Sequence, residues 1–154
     1  MYNAFLVSHS FFRWLVVISL LVAIIVGLRG WITKKEFTSS DDKIRHWTAI
    51  IIYIQFLLGL GLYFISPIIR HFLNNFEESM KLREIRFFGI EHSLMMFIAV
   101  GIISTGTAKA KKKLNDKDKF KTMTIFYIIG FVIILLSIPW EFSSFVSRPY
   151  FRLF

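Results

Sequence analysis

The stretch FLVSHSFFRWLVVISLLVAIIVGL, residues 5–28, decides the fold class. A helix needs about 20 predominantly apolar residues to cross the hydrocarbon core of a bilayer. This stretch meets that length, and Arg13 is its one charged residue. Three further stretches have the same character, at about 47–66, 87–108 and 122–140. The sequence therefore predicts an all-α membrane protein with four transmembrane helices.

The composition and the spacing of these stretches predict one domain. The chain has 154 residues, of which 55% are hydrophobic, and a mean hydropathy of +0.59. Four spans with short connections occupy most of residues 1–154, so there is little room for a soluble catalytic domain. Short connections make consecutive helices antiparallel neighbours, which predicts an up-down-up-down four-helix bundle. In such a bundle the first and third helices run parallel and face each other diagonally.

The basic residues that give the chain its net charge of +9 are placed along the sequence as a topology signal. Most basic residues fall in the connections 29–45 and 109–121, and basic connections remain in the cytoplasm. Both termini and the middle connection should therefore face outward. The N-terminus lacks a basic region and a small-residue cleavage site, so we expect the first span to be retained. The lipid bilayer is the expected partner. Nucleic acid is not, because the basic residues are concentrated in two connections between spans, as a topology signal is.

The middle connection carries apolar residues at helical spacing, with charged and amide residues between them. This pattern predicts an amphipathic helix along the outer interface between spans two and three. Its apolar positions are Ile69, Phe72, Leu73, Phe76 and Met80. An aromatic tail after Pro139 is expected at the same interface, and it comprises Phe142, Phe145, Tyr150, Phe151 and Phe154.

Two histidines define the candidate site. His9 and His92 each lie about 6–8 Å below the outer end of a predicted helix, at 1.5 Å per residue. Imidazoles at one depth on diagonal helices suit a flat metal macrocycle bound from both faces. The absence of cysteine excludes thiolate-ligated haem, iron–sulfur clusters and covalent c-type attachment. We therefore predict one b-type haem with His9 and His92 as its iron ligands.

Other residues are predicted around this haem. Arg13, one turn below His9, and Arg86, at the outer interface, are candidate partners of the propionates. Arg13 is equally compatible with an ion pair to Glu91 or Glu141. The small residues Gly59, Gly61 and Gly89 give a porphyrin edge room, although they also serve helix packing.

The remaining polar and sulfur-containing residues have simpler expected roles. His46 is expected at the interface and His71 in solvent, so a second bis-histidine haem is not expected. Met95 and Met96 could supply a thioether ligand, but such methionines more often fill a core. Gln55, near mid-membrane, is expected to bond to another helix.

Three short motifs resemble a known family. They are H-S-F-F-R-W at 9–14, I-E-H-S-L-M-M at 90–96 and S-I-P-W at 137–140. Together they resemble small four-span bacterial membrane proteins of the cytochrome b type, over nearly the whole chain. The resemblance implies haem b carried by His9 and His92, with Arg13 beside them. It also implies a bacterial inner membrane, in which the termini that the basic connections place outward would be periplasmic.

Three functional hypotheses follow from the sequence. The first is an electron-transfer protein or subunit, rather than a stand-alone enzyme, that exchanges electrons between quinol or a periplasmic redox partner and a larger complex. The second is a non-redox structural or regulatory subunit whose histidines are structural. The third is a proton or metal transporter with a polar relay of His9, Arg13, Glu91 and His92. A transport path enclosed by only four helices would have a thin protein wall, so the third hypothesis ranks last.

Overall fold

A computed structural model describes residues 1–142 and 146–149. These residues are mostly helical and contain no strand. Four helices are long and apolar enough to cross a membrane, which confirms the predicted fold class. The elements in chain order are α1 Tyr2–Thr33, α2 Ser39–Ile65, α3 Pro67–Asn74, α4 Phe76–Ser79, α5 Arg83–Arg86, a π turn Phe87–Glu91, α6 His92–Lys112 and α7 Asp116–Ser137.

The four long helices form a square bundle. α1 packs against α2 and α7, and α6 packs against α7 and α2, so α1 and α6 are diagonal as predicted. The core between them is centred on buried apolar side chains, among them Leu20, Ile103 and Met123. Large apolar side chains such as Leu57 and Phe97 point outward, as expected for helices that face lipid.

One end of the bundle holds the two lysine-rich connections, and we call it the lysine end. The helices there extend beyond the predicted spans because polar side chains cap them. Thr38 and Asp41 form a reciprocal capping box, so α2 begins at Ser39 rather than at residue 47. Asn115 caps α7 in a similar way. The capped, charged first turns of α2 and α7 therefore extend both helices beyond their apolar stretches.

Replacing Thr38 by alanine should destabilise the lysine end modestly. The substitution removes the oxygen that accepts from the Asp41 backbone N–H, and it leaves that donor without its cap. Losing such a cap costs about 1 kcal/mol, so the thermal unfolding midpoint in detergent should fall by a few degrees. Ser39→Ala, one residue later and exposed, is the matched control. Equal shifts in the two variants would contradict the capping role.

The opposite end contains the start of α1, the helices α3–α5 and the described residues 138–142 and 146–149; we call it the histidine end. The predicted single amphipathic helix is divided here into α3 and α4, broken at Asn75, and it ends at Ser79 before the short α5. Ile69 and Phe72 are buried against the bundle, whereas Leu73 and Phe76 are exposed. The apolar pattern therefore marked correctly a helical segment with an apolar side against the bundle, but it did not reveal the interruptions; its place at the membrane interface stays a prediction.

The aromatic tail is described only in part. Phe142 is exposed, and its ring stacks on Trp140 with centroids 5.8 Å apart. Phe145, Tyr150, Phe151 and Phe154 lie outside the described residues, so their predicted place at the interface stays a prediction.

Candidate cofactor site

His9 and His92 meet inside the histidine end of the bundle. Their ring centroids are 6.4 Å apart, and the two ring planes are nearly perpendicular, at 79°. Two imidazoles that ligate one metal ion from opposite sides, through bonds of about 2 Å each, have centroids about 6 Å apart. The observed separation therefore fits a shared metal ion, and the two helices that supply the rings are the diagonal pair.

His92 is held in a form that suits a metal ligand. Its Nδ1 lies 2.8 Å from the carbonyl oxygen of Ser137. A carbonyl can only accept, so Nδ1 carries the proton and neutral His92 has its lone pair on Nε2. Ligating histidines are commonly oriented by this kind of hydrogen bond. The π turn Phe87–Glu91 directly precedes His92, and such turns are frequent at functional sites.

Hydrogen bonds fix the ring of His9 less completely than that of His92. The Gln55 side-chain amide donates to the His9 carbonyl oxygen at 3.1 Å, and its nitrogen lies 3.3 Å from His9 Nε2. This contact confirms that Gln55 bonds to another helix. His9 Nδ1 is buried and has no hydrogen-bond partner among the described residues. Leaving a buried polar atom unpaired costs about 1–3 kcal/mol. Because an amide N–H can only donate, His9 Nε2 accepts in this contact and the unpaired Nδ1 carries the proton. Gln55 would therefore have to release Nε2 before that atom could bind a metal ion.

Both imidazoles line a cavity of about 540 Å³. Cofactor and ligand pockets usually fall between about 300 and 1,000 Å³ and have mostly apolar walls. Three residues of its wall, Leu60, Leu94 and Phe97, are also exposed on the outer surface of α2 and α6. The cavity therefore opens sideways between these two helices, which pack less closely than the other neighbouring pairs.

Comparison with protein-family models, with curated proteins and with solved structures gives no match to this chain.

The two predicted arginines lie in different surroundings. Arg13 lines the cavity, and its guanidinium lies 3.5 Å from the Pro149 carbonyl oxygen. Arg86 forms an ion pair with Glu91 at 2.7 Å and donates to the Met80 carbonyl oxygen at 2.9 Å. Arg86 does not belong to the described lining of the cavity. The structure thus brings Arg13, but not Arg86, to the two histidines.

The three glycines differ in what they contact. A Cβ atom on Gly59 would lie 3.0 Å from His9 Cε1, so this glycine makes room for the imidazole. Gly89 lines the cavity, but a Cβ there would lie 2.5 Å from the Phe72 ring. A Cβ on Gly61 would lie 2.5 Å from the Phe5 ring. Gly59 therefore shapes the site directly, whereas Gly89 and Gly61 allow close packing of aromatic side chains.

The remaining sequence predictions have clear outcomes. His46 and His71 are both exposed, as expected. Met96 lines the cavity and packs against the core.

Two contributors were missed by sequence reasoning. One is the Ser137 carbonyl, which accepts from His92; as the last residue of α7, Ser137 lacks an intrahelical partner for this oxygen. The position of a helix end just before Pro139 was the available signal. The other is Arg148, which also lines the cavity. Its charge within an aromatic tail was the one sign of a special role.

Proposed function

We propose that this chain is a membrane b-type cytochrome that holds one haem between His9 and His92. The observation that carries the proposal is the 6.4 Å separation of the two rings at one cavity. Among the described residues no group of three His, Cys, Asp or Glu side chains could hold a bare metal ion. Two imidazoles suffice when a porphyrin supplies the other four nitrogen ligands.

The surrounding residues support electron transfer in particular. Haem b, when bound, supplies a one-electron redox couple. His9 and His92 would both hold the iron, and ligation by two histidines favours electron transfer over oxygen chemistry. The Ser137 carbonyl orients His92 and raises its basicity as a ligand. Gln55 and Gly59 position His9 from α2. The wall of the cavity is mostly apolar, which suits a flat apolar macrocycle.

The same proposal includes the partners and the location. If the lysine end faces the cytoplasm, the site lies near the periplasmic surface of a bacterial inner membrane, and both termini are periplasmic. The sideways opening between α2 and α6 supports quinol as a partner, because quinols dissolve in the bilayer. A periplasmic redox protein could instead approach the histidine end. In either case the chain would pass electrons to or from a larger complex.

Haem content tests this proposal most directly. We expect the protein, purified in mild detergent after expression with adequate haem supply, to contain one haem b per chain. The reduced protein should show a sharp α band. Protein that is correctly folded but contains no haem, and takes up none from added haemin, would end the proposal. Two haems per chain would contradict the assignment of a single site.

One observation favours a second candidate function, a non-redox structural or regulatory subunit of a membrane complex. Both histidines contact neighbouring helices, His9 through Gln55 of α2 and His92 through Ser137 of α7. Such contacts could serve only to hold the bundle together. Colourless protein that stays stable and refuses haemin would support this candidate.

A further inference from the structure

The positive charge of this chain is concentrated at the lysine end. Residues 29–45 and 109–121, which include the two connections there, contain twelve basic and five acidic residues, a net charge of +7. The connection at the histidine end, residues 67–91, contains four of each and is neutral. The two ends of the bundle therefore present very different surfaces to the lipid headgroups around them.

Few carboxylates at the lysine end are available to offset this charge. Three ion pairs form there, Lys35 with Asp41, Arg45 with Asp42 and Lys119 with Asp116. The other nine basic residues of the two ranges are all exposed and form no ion pair with a described residue. Only Glu36 and Asp118 remain to balance them, and the Asp118 carboxylate accepts from the Asn115 side chain at 2.8 Å. An excess of exposed cations is left over.

Two of these exposed cations lie on the outer side of α7. Lys117 and Lys121 are four residues apart, so they lie on one face of the helix, a single turn from each other. The same face continues with the exposed apolar side chains Ile125, Ile128 and Val132. It lies opposite the face that α7 buries in the core of the bundle. We call this row of five residues the outer face of α7: two ammonium groups followed by a lipid-facing apolar surface.

The depth of Lys121 matches that of a lipid headgroup. Its Nζ lies 5.9 Å from the centre of the Trp31 ring, and tryptophan is enriched at the membrane–water interface. Phospholipid phosphates lie at this interface, and their acyl chains continue into the hydrocarbon core. An ammonium group has three N–H donors, so the contact with the ring leaves donors for a phosphate oxygen. The order of charge and apolar surface along α7 is thus the order of phosphate and acyl chain in a phospholipid.

We infer that the outer face of α7 binds an anionic phospholipid, with its phosphate at Lys117 and Lys121 and an acyl chain along Ile125 and Val132. Charge complementarity selects the anionic class. Like charges one turn apart on a helix repel each other, and a lipid with net negative charge relieves that repulsion. A zwitterionic lipid brings a cation of its own beside the phosphate, so it relieves less. This lipid site is remote from the cavity beside the two histidines and does not depend on haem.

The test is the thermal unfolding midpoint of the full chain in an uncharged detergent with added lipid. We expect dioleoylphosphatidylglycerol to raise the midpoint a few degrees more than the same amount of dioleoylphosphatidylcholine, because a ligand that binds the folded state stabilises it. Lys117→Gln/Lys121→Gln should lose most of this difference. Arg70→Gln/Lys81→Gln is the matched control: it removes two exposed cations from the neutral connection and should keep the difference.

Further arms separate lipid binding from other causes. Lys117→Arg/Lys121→Arg keeps both charges and should keep the response, so that a loss in the glutamine variant reflects charge rather than damage to α7. Equal midpoints of the wild type in the two lipids would overturn the inference, and so would equal losses in the two neutralised variants. Inorganic phosphate at the same concentration should leave the midpoint unchanged. A shift as large as that with phosphatidylglycerol would assign the site to a soluble phosphate compound and overturn the lipid assignment.

Discussion

Replacing His92 by alanine should abolish haem binding. This ring is the better oriented of the two, because the Ser137 carbonyl fixes its proton on Nδ1 and leaves Nε2 for a metal ion. Losing a hydrogen-bond partner of a ligating histidine typically costs about 10–100-fold in metal affinity, so losing the ligand itself should exceed that range. The measurement is the Soret absorbance per chain of purified variant protein.

His9→Ala should have the same effect from the opposite side of the cavity. His46→Ala and His71→Ala are the matched controls, since both side chains are exposed and lie outside the cavity lining. These two variants should keep the full spectrum. A His9→Ala or His92→Ala protein that elutes as folded protein with unaltered absorption would remove the bis-histidine assignment. Haem that is retained in His9→Ala with an altered spectrum would contradict the expected loss and would leave His92 as the one histidine ligand.

The four helices could be predicted from the sequence because each apolar stretch is long enough to span a bilayer. The meeting of His9 and His92 followed from two simple inputs. Their depth comes from counting residues, and their diagonal placement comes from short connections between antiparallel helices. Neither input requires knowledge of side-chain contacts. This is why a pair 83 residues apart in sequence could be placed together before the structure was known.

The partners of the two rings could not be predicted in the same way. They depend on how each helix is rotated about its axis, and hydropathy carries little of that information in a membrane bundle. Lipid is as apolar as leucine, so the buried Leu20 and the exposed Leu57 look alike in the sequence. Gln55 could be expected to bond to some neighbouring helix, but its contact with His9 required the structure.

The partners of the arginines at the histidine end were even harder to predict from the sequence. Long side chains at a membrane surface can reach several partners, so their pairing depends on tertiary proximity. Arg86 lies close to the predicted haem edge along the chain, yet it turns toward Glu91. Arg148 lies far from His9 in sequence, yet both line the same cavity. The division of the middle connection at Asn75 likewise reflects tertiary packing, including Phe72 against Gly89.

Gly106→Ala should destabilise the bundle, although it adds only one methyl group. A Cβ at this position would lie 2.2 Å from Phe126 Cβ, so α6 and α7 would have to move apart. These two helices form the most extensive contact in the bundle. Overpacking of this kind costs about 1–3 kcal/mol. We therefore expect a clear fall in the thermal unfolding midpoint of the purified protein in detergent.

Gly101→Ala is the matched control within the same helix. Nothing lies within 4 Å of a Cβ at Gly101, which faces outward. Alanine favours a helix over glycine by about 1 kcal/mol, so this variant should be unchanged or slightly more stable. The same chemical change should thus have opposite signs at two positions less than two turns apart. Equal shifts would contradict the packing of α6 on α7 described above.

The Gly106→Ala variant also tests whether the candidate site depends on helix packing near the lysine end. Gly106 lies about 20 Å along α6 from His92, toward the lysine end. Loosening the bundle there should leave the contact between His92 and Ser137 intact while the protein remains folded. Below its lowered unfolding midpoint, Gly106→Ala should therefore bind haemin like the wild type. Loss of haem affinity in this variant, with the midpoint unchanged, would mean that the site depends on the far end of the bundle, contrary to the local geometry of the two imidazoles.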